Sequence, residues 1–117
     1  MEKIAADVGT PFYLYSQREI LDNYRSFERG LGRIRHLVCY AFKANSNSTI
    51  CKILANAGSG AEVASLGELK QALQLGFSRA KIVFNGNGKS VEEMELAIKS
   101  DILMINVDSF EELVLLN

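Results

Sequence analysis

Lys43 closes an apolar run, His36 to Phe42 in HLVCYAFKANSN, that is rich in β-branched, aromatic and small residues. Such a run suits a strand covered on both faces, so the amine falls where the strand ends. An amine held against apolar neighbours loses solvation and its charged form is disfavoured, and a neutral lysine can then attack an aldehyde to form a Schiff base. A lysine at a strand end is also an ordinary solvated residue, so its type alone does not decide the matter. Polar residues recur at the same point of the later apolar runs: Glu62 in GAEVAS, Asn85 and Asn87 in FNGNGKS, Asn106 and Asp108 in INVDS. If these runs are parallel strands, the side chains gather at one rim, where barrels and open α/β sheets place their ligands.

The elements that must position them follow a repeat. A strand and then a helix recur with a period of roughly 20 residues, the size of a βα unit in a parallel sheet. HLVCYAF precedes a helix from about Asn47 to Ala57, and GAEVAS one from Leu66 to Leu75 with Leu66, Leu69 and Leu73 on a single face. KIVFNG precedes a helix whose apolar stripe reads Val91, Met94 and Ile98, and ILMINV precedes SFEELVLL. Helix starts carry the S-x-x-E capping box at Ser16/Glu19, Ser65/Glu68, Ser90/Glu93 and Ser109/Glu112. The helix after Lys43 is different: NSNST offers polar caps but no carboxylate. A positive helix end beside a lysine tolerates an anion there, unless the asparagine and serine side chains cap it alone. Ahead of the repeats, the sequence predicts a short helix, a strand PFYLYS, and a helix from Gln17 to about Arg29 with Ile20, Tyr24 and Phe27 on one side.

Length and charge narrow the classes. At 117 residues and 48% hydrophobic, the chain fits one small core. Thirteen basic residues against 14 acidic ones, with no basic stripe, favour neither nucleic acid nor a membrane surface as partner. No signal-like or membrane-spanning segment is expected, which predicts a cytoplasmic protein. Cys39 and Cys51 have no paired or metal-binding spacing and are expected to be reduced core residues, with no metal site. His36, at the far end of its strand from Lys43, is expected to be structural. GNGKS lacks the full P-loop spacing, because Val83 stands where its first glycine belongs.

Four βα units make half of a (β/α)8 barrel, which needs about 250 residues when complete. The expected fold is therefore α/β, the N-terminal half of a TIM-type barrel with open strand edges, either part of a longer chain or a half that associates with another copy. The ending EELVLLN, apolar with no polar tail, agrees with that expectation.

YAFKANSN resembles the pyridoxal-phosphate-binding strand of the fold-type III decarboxylases. The likeness continues in order through GAEVASLGEL, KIVFNGNGKS and INVDSFEEL, with GTPFYLYS ahead of them. The resemblance implies an alanine-racemase-like barrel, with residues 1–117 as a partial cofactor-binding domain and a C-terminal β domain outside the chain. It implies a pyridoxal 5'-phosphate-dependent amino-acid decarboxylase, closest to the diaminopimelate branch that makes lysine and CO2, and a homodimer when full length. It also implies that Lys43 holds the cofactor as a Schiff base, that Glu62 and Glu68 are the two acidic positions facing it, and that Ala41 leaves room under the ring. The family usually carries aspartate where Glu62 stands, and Glu68 has the capping box as a second explanation. Asn85 and Ser65 share the rim without an assigned step. This chain alone is not expected to turn over substrate, because the phosphate loop and second-domain residues lie elsewhere. The alternatives are a sister enzyme for ornithine, arginine, carboxynorspermidine or a carrier-tethered amino acid, and a non-catalytic homologue.

Overall fold

The computed structural model describes residues 1–117. Four short strands, β1 (Cys39–Ala41), β2 (Gly60–Val63), β3 (Ile82–Phe84) and β4 (Met104–Ile105), form one parallel sheet in sequence order. Helices α3 (Ser48–Asn56), α4 (Leu66–Gln74), α5 (Val91–Lys99) and α6 (Phe110–Leu116) follow them in turn, so the βα repeat is present in full. Before the sheet lie α1 (Glu2–Val8) and α2 (Gln17–Leu31), and α2 packs against α3.

Alternation along the strands builds the core. Ala61 and Val63 of β2 and their neighbours Ile82 and Phe84 of β3 are fully buried on the helix side. Cys51 of α3, Leu69 and Ala72 of α4 and Ala97 of α5 meet them there. The opposite face carries Ala41, Glu62 and Val83, all half-buried. Within this chain the sheet is therefore covered on one face, not on both as the apolar composition of the strands predicts; the helices pack on a single side, as in a barrel wall.

Three other expectations change. PFYLYS forms no strand, and Tyr13 is 90% exposed, because an extended run without a neighbouring strand has no ladder to hold it. On α5 the buried residues are Met94 and Ala97, while Val91 and Ile98 face solvent; the small Ala97 side chain lets the helix approach the sheet and turns the larger residues outward. All four serines cap their helices, but only Ser90 and Glu93 close the box in both directions.

Gly86, just past β3, fits against the turn after β2. A Cβ there would collide with the Ala64 carbonyl oxygen, and backbone cannot swing aside as a flexible side chain does. Gly86→Ala is expected to lower unfolding stability by about 1–3 kcal/mol through this overpacking, read as a lower urea midpoint.

Candidate active site

Lys43 lies in a single 3-10 turn, Phe42–Ala44, directly after β1. That turn is fixed on both sides. Phe42, fully buried, packs edge-on against Phe77 at a ring separation of 5.5 Å. The Tyr40 hydroxyl donates to the Asn45 carbonyl oxygen at 2.9 Å, and the Cys51 thiol reaches the same oxygen at 3.7 Å. The backbone under the lysine is thus held while its side chain, 68% exposed, extends from the sheet. The burial expected from the apolar strand does not reach the amine: of the run before Lys43 only Phe42 enters the core, and Nζ extends outside.

Nζ of Lys43 lies 3.8 Å from Oε1 of Glu62, whose side chain is only 16% exposed. Ala41 is the register partner of Glu62 on the neighbouring strand, so a methyl group lies beside the carboxylate on the uncovered face. Asn85 donates from Nδ2 to Oε1 of Glu62 at 3.1 Å, and Asn106 donates from Nδ2 to Oδ1 of Asn85 at 2.9 Å. Each of the four strand ends contributes one polar side chain to this row.

Glu68 is not brought to Lys43. Its Oε2 accepts from the Ala64 amide at 2.7 Å, one residue earlier than a capping box requires, while its own amide donates to Ser65 Oγ. Asn47 caps α3, accepting from the amides of Thr49 and Ile50 at 3.0 and 3.4 Å. That helix end is therefore satisfied by the protein, which removes the argument for an anion there. Asp108 leaves the row and joins a buried cluster: Nζ of Lys89, with 1% side-chain exposure, lies 2.9 Å from Glu112 and 3.2 Å from Asp108. The P-loop-like lysine is thus already paired and turned away from solvent. The spacing of GNGKS hid this role, which appears only when α6 packs beside the loop.

His36 bonds the Ile34 carbonyl at 2.6 Å and Glu28 at 3.3 Å; first the carbonyl and then Glu28 raise its pKa, which fits a role in tying α2 to β1. Burial pushes the thiols of Cys39 and Cys51 up, so neither offers a ready thiolate. A cavity of about 660 Å³ runs along the free edge of β1, between Ile20, Tyr24 and Phe27 of α2 and Val38, Ala41 and Leu54. Neither Lys43 nor Glu62 lines it, so this cavity and the polar row are neighbours, not one site.

The row itself offers an accessible primary amine, a carboxylate to receive it, and a small neighbour. Those are the groups needed to capture an aldehyde and to keep the amine in place when it is free. Pyridoxal phosphate carries such an aldehyde, and this donor set fits it.

Residues 17–117 match the family model described as pyridoxal-dependent decarboxylase, pyridoxal binding domain. A diaminopimelate decarboxylase of Helicobacter pylori is 46% identical over 112 residues, spanning 96% of this chain and 28% of that protein. The crystal structure of a Helicobacter pylori diaminopimelate decarboxylase complexed with L-lysine superposes with a TM-score of 0.94 at 42% identity, over 98% of this chain and 29% of that one. A lysine decarboxylase from Selenomonas ruminantium follows at 28% identity and a TM-score of 0.88, over 98% of this chain and 30% of its own. The chain therefore spans less than a third of the length of the relatives it matches.

Proposed function

This chain belongs to the pyridoxal-dependent decarboxylases through their pyridoxal-binding domain, and on that footing we propose that the intact protein decarboxylates meso-diaminopimelate to lysine. The observation that carries the reading is Lys43 at the C-terminal end of β1 with Glu62 at 3.8 Å. The choice of substrate is supported by identity in the superposed structures: 42% to a diaminopimelate decarboxylase against 28% to a lysine decarboxylase. The same reading makes the protein a cytoplasmic homodimer, with a C-terminal β domain supplying the remaining groups. No helix of the chain is long and apolar enough to cross a membrane.

Pyridoxal phosphate, when bound, supplies the electron sink for the pair left at Cα as CO2 departs. The rest is work for the side chains. Lys43 would hold the cofactor through Nζ, and the same amine, when free as an ammonium, would move a proton at that atom. Glu62 would accept from that ammonium and keep it at the strand ends, because its carboxylate is itself held by Asn85. Ala41 leaves space beside the carboxylate for a planar ring. Glu68 acts one step away: by binding the Ala64 amide it fixes the turn that follows Glu62.

Incubating the intact protein with pyridoxal phosphate, reducing with borohydride and mapping peptides by mass is expected to place one pyridoxyl group on Lys43. Lys43→Ala should remove it. Adducts spread over surface lysines, or none, would refute Lys43 as the cofactor residue. Turnover of ornithine in preference to meso-diaminopimelate would move the substrate assignment to the sister enzymes.

A further inference from the structure

We infer that Asn85 and Asn106 are positioning residues that hold the Glu62 carboxylate in place for Lys43; the inference rests on the reading of Lys43 and Glu62 above. The direction of the row follows from its chemistry. A carboxylate only accepts, so Asn85 must turn its NH2 to Glu62, and that leaves its carbonyl oxygen to accept the NH2 of Asn106. Both amides then point their donors toward Glu62, and each polarises the next. The observed contacts, 3.1 Å and 2.9 Å, have this order.

The starting points of both side chains are fixed by backbone. The Asn85 amide donates to the Val63 carbonyl and the Asn106 amide to the Phe84 carbonyl, each at 2.8 Å, so the ladder continues one residue past β3 and β4. The loop after Asn85 is held at Gly86 by the close Ala64 backbone and at Lys89 by Glu112, while Asp108, two residues past Asn106, pairs with the same lysine. Two loops that would otherwise move independently are clamped together behind the row. An exposed amide on a mobile loop would be a weak guide for a carboxylate, and these are not on mobile supports. The charged or titratable groups facing Glu62 are the Lys43 ammonium and the Cys39 thiol, which feels the carboxylate's charge.

The test uses full-length protein stripped of cofactor. Pyridoxal phosphate is added, the reaction is stopped with borohydride at timed intervals, and the Lys43 adduct is quantified by peptide mass. Asn85→Leu is expected to slow formation of that adduct about tenfold, the size of one hydrogen bond to a charged group. Its urea midpoint should stay near that of the unaltered protein, because Asn85 is exposed. Asn106→Leu should slow it less, since it acts on Glu62 through Asn85. Asn85→Asp keeps the shape and reverses the chemistry: two carboxylates then face each other, and acidification lets them share a proton, which restores a donor. The ratio of its rate to that of the unaltered protein should therefore rise as the pH is lowered, a response that a purely structural role would not give. An unchanged rate in Asn85→Leu, a larger effect of Asn106→Leu than of Asn85→Leu, or a ratio flat with pH would each overturn the inference while leaving Lys43 as the cofactor residue. Failure of the unaltered protein to label at Lys43 would remove that reading and the inference with it.

Discussion

Lys43→Ala is expected to lower turnover of meso-diaminopimelate by the intact protein by about 10²–10⁴-fold from lost proton transfer alone, with loss of cofactor retention in addition. The urea midpoint should hardly move. Lys43 is 68% exposed and its one ion pair, at 3.8 Å, lies at the surface, where such pairs contribute little. The turn that carries it is anchored by Phe42 and by the Tyr40 contact to Asn45, neither of which the substitution touches. Lys43→Arg should be as inactive as alanine, because a guanidinium keeps the charge opposite Glu62 but does not deprotonate to attack an aldehyde. Charge and chemistry are thereby separated at one position. CO2 release and urea unfolding, measured on the same preparations, check both halves: activity within a few fold of the unaltered protein would mean that another amine does the work.

The strand ends were readable because period and punctuation agree. Lys43, Glu62, Asn85 and Asn106 all stand where an apolar run gives way to polar residues, and parallel pairing in sequence order brings those points to one rim. The hydrogen-bond partners were not readable, since a carboxylate chooses its donor in three dimensions. Glu68, Glu93 and Glu112 share one S-x-x-E spacing, yet the first bonds Ala64, the second closes its box and also reaches the Leu66 amide of the preceding helix, and the third binds Lys89. Exposure of Val91 and Ile98 was hidden for a related reason. Periodicity reports which residues are apolar, whereas the small size of Ala97 decides how closely and at what rotation α5 meets the sheet. PFYLYS has the composition of a strand, and composition carries no information about whether a partner edge is free.

Lys89→Met is expected to be the most destabilising single change to the fold, read as the largest drop in urea midpoint, because it leaves the Glu112 carboxylate without its cation. Lys89 binds α6 to the loop after β3 twice, through its amide to Oε1 of Glu112 at 2.9 Å and through Nζ to Oε2 at 2.9 Å. Asp108 is 39% exposed and can turn to water, so the penalty falls mainly on Glu112. The Asp108 amide first, and then the Lys89 side chain and amide, pull the Glu112 carboxyl from its ordinary 4.5 down to about 2. A depressed carboxyl contributes stability that is complete above its unfolded value and is lost as the pH falls through the folded one. The contribution should therefore be full at neutral pH and disappear between about pH 4.5 and 2, in urea midpoints taken across that window. Lys89→Met combined with Glu112→Leu removes both charges, and replacing a buried pair with apolar groups is often neutral. The double variant should thus be more stable than Lys89→Met alone. If it is not, the Lys89 and Asp108 amides, which lose their acceptor with Glu112, outweigh the charge that is removed.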